Sequence, residues 1–238
     1  MKTPEERARA ACEARAARAA AIGPSDVLRF AEGLFRVQAA LVGRGEDARP
    51  LLEYVASKGP AALAADAREM MERPAAFAQR VCDTRAGGEF DYLARAALTP
   101  LALLERERGG AFDKAPGPCP FCGGIPWMAS RKPGGQAEGS LRMLHCSVCW
   151  NAWNVSRLRC PACGQEDPHK LPFFSAPEHP HVRIEACEQC KGYVKSIDLS
   201  EDARPIPEVD DLRSLSLDLW AAEQGFERLE PGLAGALD

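Results

Sequence analysis

The sequence contains no apolar run that approaches the roughly 18 to 20 residues needed to cross a bilayer. Its N-terminus, MKTPEERARAACEARAARAA, has no apolar stretch typical of a secretory signal and no adjacent arginines, and it contains three glutamates. We therefore expect no export signal and a cytoplasmic location. Because a reducing cytoplasm disfavours disulfide frameworks, the ten cysteines of the chain need another explanation.

Motifs that identify common enzyme classes are also missing. The sequence has no glycine-rich phosphate loop and no nucleophile elbow, and it contains only four histidines. A net charge of −4 and the lack of a long basic run disfavour nucleic acid as a partner. We therefore predict a protein that is not an enzyme.

Residues 1–108 have the pattern of an all-helical domain. Thr3 and Glu6 form a capping box around a proline at the first helical position. From Val27 to Val42 the apolar residues recur at the three-four spacing of one helix face. Prolines and glycines divide the remaining sequence of this part into further helical segments.

Two other segments complete the predicted organisation around the cysteine-rich region. Residues 109–118, GGAFDKAPGP, have the composition of a linker. Residues 206–230 are predicted to form a C-terminal helix, which Asp210 or Asp211 can cap. Its predicted apolar face consists of Leu212, Leu215, Leu219 and Phe226.

Eight of the ten cysteines form four Cys-x-x-Cys pairs, and these pairs belong to an internal repeat. At an offset of 41 residues CPFCG falls on CPACG, and LRMLHCSVC falls on VRIEACEQC. The two halves of the repeat define two modules, residues 119–159 and 160–205. A common period argues against independent thiol–disulfide redox pairs, which need no second pair at a fixed distance.

Each module has the spacing of a four-cysteine tetrahedral metal site. Sequential pairing gives a first site of Cys119, Cys122, Cys146 and Cys149 and a second site of Cys160, Cys163, Cys187 and Cys190. An interleaved pairing is left open by the spacing. Two ions per chain are predicted, and thiolate ligands suit both iron and zinc.

Residues that readily adopt the left-handed backbone conformation follow each cysteine pair, as a tight turn around an ion requires. Gly123 and Gly164 directly follow the first pair of each module, and either can adopt positive φ. Asn151 and Gly192 stand two positions after the second pair and are expected to fill the same role there.

Taken together, five segments resemble the formate dehydrogenase accessory (formation) protein family, FdhE. They are CPFCGGIP, LHCSVCWNAWNV, RLRCPACG, EACEQCKGYVK and VDDLRSLSLDLWAAEQGF, within residues 117–228. The resemblance implies a cytoplasmic maturation factor that acts on the catalytic subunit of respiratory formate dehydrogenase before its twin-arginine export. It also implies that the eight cysteines are rubredoxin-like metal ligands.

The combined prediction is an α+β protein in which an all-helical N-terminal domain precedes two tandem rubredoxin-like or zinc-ribbon metal knuckle modules and a C-terminal helix. Its predicted function is that of a metal-binding accessory factor for respiratory formate dehydrogenase. Its predicted partner is the catalytic subunit, with the twin-arginine leader region as one candidate contact. The alternative is a zinc-ribbon protein that binds nucleic acid or acts as a general adaptor.

Overall fold

The structure is a computed structural model, and it describes residues 2–23, 25–110, 118–133, 140–200 and 202–233. Most of the predicted linker at 109–118 lies outside the described residues. Six helices precede this gap: α1 (Pro4–Ile22), α2 (Asp26–Leu41), α3 (Arg49–Lys58), α4 (Ala61–Glu72), α5 (Pro74–Arg85) and α6 (Tyr92–Arg108). The helical prediction for the N-terminal part is therefore confirmed.

The ends of these helices follow from local chemistry. The Glu6 amide donates to Thr3 Oγ1 at 3.2 Å and the Thr3 amide donates to Glu6 Oε2 at 2.8 Å, which is the predicted capping box. α6 ends at Arg108 and is followed by Gly109, whose φ of 69° gives a left-handed cap. No helix among the described residues combines the length and apolar character of a bilayer-spanning segment.

The cysteine-rich region forms a seven-stranded sheet. Its strands are β1 (Pro126–Pro133), β2 (Ser140–Cys146), β3 (Ala152–Val155), β4 (Phe173–Ser175), β5 (Val182–Ala186), β6 (Gly192–Asp198) and β7 (Glu227–Arg228). The strand order is β3-β2-β1-β6-β5-β4, and β7 adds to β6. Neighbours within a module are antiparallel, whereas β1 and β6 join the two modules as parallel strands.

The sequence repeat is visible in the register of the sheet. Leu144 of β2 is opposite Trp153 of β3, and Glu185 of β5 is opposite Val194 of β6. Both residues of the second pair stand 41 positions after those of the first. The two modules therefore have the same three-stranded arrangement and lie side by side in the same order within one sheet.

Helices and sheet share one apolar core. Cys12 of α1 and Phe35 of α2 belong to the same buried cluster as Met128 of β1 and Ile184 of β5. The α+β fold class, with helices first and two knuckle modules after them, is confirmed. The predicted domain boundaries stay predictions.

The segment predicted as one helix over 206–230 is divided in the structure. It contains α7 (Pro207–Asp210), a 3-10 turn (Asp211–Arg213), α8 (Leu215–Glu223) and β7. The division occurs because the carbonyl and hydroxyl of buried Ser214 accept hydrogen bonds from Lys195, and because Gly225 turns the chain at φ 78°. Leu217 is buried, whereas Leu219 of the predicted apolar face is 69% exposed.

Candidate metal centres

The structure brings the eight paired cysteines together in two groups of four. One group is Cys119, Cys122, Cys146 and Cys149, and the other is Cys160, Cys163, Cys187 and Cys190. Within each group the sulfur atoms all lie within 4.8 Å of one another. These groups correspond to the sequential pairing of the repeat and not to the interleaved one.

The sulfur separations fit a tetrahedral ion. In the first group the Sγ atom of Cys122 lies 3.4 Å from those of Cys146 and Cys149. In the second group the Cys160–Cys190 and Cys163–Cys187 Sγ distances are both 3.7 Å. Four thiolates about 2.3 Å from a tetrahedral ion are about 3.8 Å apart. Each group could therefore hold one metal ion with a closed set of sulfur ligands.

Repeated backbone hydrogen bonds shape the turns that carry the first cysteine pairs. The Gly123 amide donates to the Cys119 carbonyl at 2.9 Å, and the Gly164 amide donates to the Cys160 carbonyl at 3.1 Å. Both glycines have a φ of 75°, in agreement with the sequence prediction. This left-handed geometry costs little at glycine, which has no Cβ to clash with the backbone.

The turns that carry the second pairs differ from the prediction by one residue. The left-handed residues are Trp150 and Lys191, with φ of 52° and 57°, and not Asn151 and Gly192. The carbonyls of Asn151 and Gly192 instead accept the amides of Cys146 and Cys187, the first cysteine of the second pair in the same module, at 2.9 Å. Trp150 is held in this geometry because its ring is buried, with the Arg15 guanidinium 3.8 Å from the ring centroid.

The first site lies in the core between α6 and the sheet. All four of its cysteines are buried, and they form a cluster with Leu98 and Ala102 of α6. Arg106 of α6 donates to the Cys149 carbonyl at 2.8 Å. A Cβ added at Gly124 would come within 2.7 Å of Cys146 Sγ, so this turn is packed directly on a candidate ligand.

The second site is half exposed. Cys160 and Cys187 are buried, whereas Cys163 and Cys190 are exposed. The side-chain Nε2 of Gln189 lies 3.9 Å from Cys163 Sγ and provides one polar contact on the exposed side of the site. The two sites thus have the same ligands and turns but different access to solvent.

Within each site the pKa values of different thiols are shifted in opposite directions. Hydrogen bonds from neighbouring thiols, first of all Cys122, lower the pKa of Cys119, whereas burial raises the pKa of Cys146. At the second site the Gln165 amide lowers the pKa of Cys163, and burial raises the pKa of Cys190 to about 12. A divalent cation would remove this conflict, because it stabilises all four thiolates at once.

The difference in exposure predicts that the two sites lose metal at different rates. A strong chelator is expected to remove the ion of the second site at least about tenfold faster, because a difference of about 1.4 kcal/mol in opening free energy already gives that ratio. The measurement is the time course of metal release from the loaded protein.

A single-site variant assigns the two phases. Cys160→Ser is expected to abolish the fast phase and leave the slow one, whereas Cys82→Ser, at an exposed helical cysteine outside both groups, should leave both phases unchanged. Release in a single phase from the unaltered chain would contradict the predicted difference.

A buried cluster of charges that the sequence analysis did not identify supports the C-terminal segment. Lys195 of β6 is fully buried, and its Nζ lies 2.7 Å from Asp211 Oδ1 and 2.6 Å from Asp218 Oδ2. Arg228 Nη2 lies 2.8 Å from Asp211 Oδ1. Asp211 therefore belongs to an ion-pair cluster and does not cap a helix as expected. Its neighbour Asp210 is also buried and binds Arg18 of α1.

Family models match the part of the chain that contains both sites. Residues 118–157 match the model described as FdhE, central domain, and residues 158–233 match FdhE, C-terminal domain. The match includes all eight paired cysteines and the Asp-Asp segment that precedes α8.

Individual relatives agree with these models. The chain is 38% identical over 117 residues to a protein FdhE homolog of Aquifex aeolicus, which is 49% of this chain and 41% of that protein. It is 34% identical over 164 residues to a homolog of Pseudomonas aeruginosa, or 61% of this chain and 52% of that protein. The matched segments thus span about half the length of these relatives or less.

A solved structure extends the similarity to the helical part. The crystal structure of the FdhE protein from Pseudomonas aeruginosa superimposes with a TM-score of 0.70 at 25% sequence identity. The superposition covers 94% of this chain and 95% of that one. The helical N-terminal part therefore has a structural counterpart, although the family models match only residues 118–233.

Proposed function

The chain belongs to the FdhE family, and we propose that it is a non-catalytic, metal-binding accessory factor for respiratory formate dehydrogenase. In this proposal it binds the catalytic subunit of that enzyme in the cytoplasm before export. The observation that carries the proposal is that both four-cysteine groups lie within residues 118–233, the segment that matches the two family models.

The geometry of the two cysteine groups supports a structural role for the metal ions over a catalytic one. Four sulfur ligands leave a tetrahedral ion without an open position for substrate. In the proposed role, Cys119, Cys122, Cys146 and Cys149 hold one ion of iron or zinc, and Cys160, Cys163, Cys187 and Cys190 hold the other. The ions stabilise the turns, which then present rigid loops to a partner at low entropic cost.

Co-purification tests the proposed partner. A tagged form of the full chain is produced in anaerobically grown cells that express respiratory formate dehydrogenase, and metal content is measured on the same sample. We expect the catalytic subunit to be enriched with the unaltered chain and with Cys82→Ser. We expect Cys119→Ser to lose both an ion and the subunit, because it removes a buried ligand of the first site.

Two further outcomes discriminate between the alternatives. Loss of enrichment when the catalytic subunit lacks its leader would support the twin-arginine region as the contact, and this binding should weaken with salt because the chain is acidic. Absence of the subunit with the unaltered chain, with nucleic acid or unrelated proteins retained instead, would favour the nucleic-acid-binding or general adaptor function.

A further inference from the structure

A surface that is both basic and apolar lies where the two modules meet. We call it the junction surface and define it by Arg157, Leu158, Arg159, Phe173 and Arg183. Leu158 is 53% exposed and Phe173 is 63% exposed, and they are two of the four large apolar side chains that are exposed in the described part of the chain. These residues line a cavity of about 210 Å³.

The loop that carries Arg157, Leu158 and Arg159 is fixed by hydrogen bonds from the buried side chain of Arg142. The Arg142 guanidinium, which is 5% exposed, donates to the carbonyl of Ser156 at 3.2 Å and to the carbonyl of Arg159 at 2.9 Å. The Leu158 amide donates to Ser156 Oγ at 3.3 Å. Arg157 and Leu158 are therefore presented by a loop fixed at both ends, which reduces the ordering cost of binding.

Positive charge on this surface exceeds the carboxylates that face it. Arg157 makes no ion pair with any residue that the structure describes. Arg159 faces Glu166 at 3.5 Å, but both side chains are more than half exposed, and such pairs are worth about 0–1 kcal/mol.

The remaining carboxylate is already shared by two arginines. Arg142 Nε lies 2.7 Å from Glu185 Oε2, and Arg183 Nη2 lies 2.6 Å from Glu185 Oε1. The Arg183 guanidinium also lies 4.9 Å from the centroid of the Phe173 ring. Glu185 is therefore engaged by Arg142 and Arg183 and does not offset the charge of Arg157 and Arg159, which remain available for a ligand.

We propose that the junction surface binds an acidic segment of a partner protein, which places one apolar side chain in the cavity and carboxylates beside Arg157 and Arg159. The cavity has the size and apolar lining to accept one side chain, and the guanidiniums match carboxylates in charge and geometry. A nucleic acid fits less well, because the chain as a whole carries a net charge of −4 and would repel a polyanion beyond this surface.

Selection of phage-displayed random dodecapeptides on the metal-loaded full chain tests the proposal. We expect the enriched peptides to carry acidic residues around one apolar side chain and to bind more weakly as salt rises. The double variant Arg157→Gln/Leu158→Ser should weaken the affinity of these peptides about tenfold or more. The matched control, Arg204→Gln/Leu219→Ser, changes two exposed residues elsewhere and should leave the affinity unchanged.

Unaltered metal content and circular dichroism in both double variants exclude misfolding as the cause. Failure to enrich peptides, enrichment of peptides without acidic residues, or equal affinity for the two double variants would overturn the proposal. A single-stranded RNA oligonucleotide that binds the unaltered chain more tightly than the peptides, and loses binding in Arg157→Gln/Leu158→Ser, would overturn it in favour of nucleic acid.

Discussion

Replacement of Gly124 by alanine is expected to empty the first metal site and leave the second one loaded. The added Cβ would lie 2.7 Å from Cys146 Sγ and 3.3 Å from Cys122 Sγ, and neither sulfur can move without leaving its position around the ion. Overpacking of this kind costs about 1–3 kcal/mol, which corresponds to about 5- to 150-fold weaker ion binding. Metal analysis after dialysis against a chelator, at a concentration that leaves both ions in the unaltered chain, should find one ion per chain in place of two.

The repeat supplies a matched control at the equivalent position. Gln165 stands 41 residues after Gly124, and its carbonyl accepts the Cys160 amide as the Gly124 carbonyl accepts the Cys119 amide. Gln165 already carries a Cβ, so Gln165→Ala should leave both sites loaded. A full complement of metal in Gly124→Ala would show that the first turn does not close on an ion as tightly as the structure indicates.

Replacement of Lys195 by methionine is expected to destabilise the fold by about 3–5 kcal/mol, the usual cost of removing one partner from a buried ion pair. Methionine fills a similar volume, but it leaves Asp211 and Asp218 with Arg228 as their one remaining cation in the cluster. The measurement is urea unfolding of the metal-loaded protein, followed by tryptophan fluorescence.

Two comparisons separate charge from volume in this experiment. Lys132→Met, at an exposed position of strand β1, should change the unfolding free energy by no more than about 0.5 kcal/mol. Adding Asp218→Asn to Lys195→Met should restore part of the loss, because it removes the uncompensated charge. Equal destabilisation by Lys195→Met and Lys132→Met would contradict the importance of the buried cluster.

Features that depend on local sequence could be predicted well. The 41-residue period gave the two modules, the grouping of the cysteines and the positive φ of Gly123 and Gly164. The capping box at Thr3 fixed the start of α1 in the same way. In each case the residues that determine the geometry lie within a few positions of one another or recur at a fixed offset.

Features that depend on distant partners could not be predicted. The parallel pairing of β1 with β6 places Met128 opposite Lys195, and no local sequence pattern predicts such a contact. Asp210 and Asp211 have the pattern of a helix cap, but their partners Arg18 and Lys195 come from other elements. A tertiary ion pair therefore replaced the local role of Asp211, whereas Asp210 combines its ion pair with a local hydrogen bond from the Ile206 amide.

The order of strands in the sheet has a consequence for any shortened form of the protein. By the repeat, β3 of the first module is equivalent to β6 of the second, and β1 of the first is equivalent to β4 of the second. The contact between the modules is made by β1 of the first and β6 of the second. A single module would thus carry both complementary edges of one contact, and a head-to-tail contact of this kind adds copy after copy unless its rotation closes a ring. Isolated modules are expected to polymerise, whereas in the whole chain the outer strands, β3 with four residues and β4 with three, offer little edge for further growth.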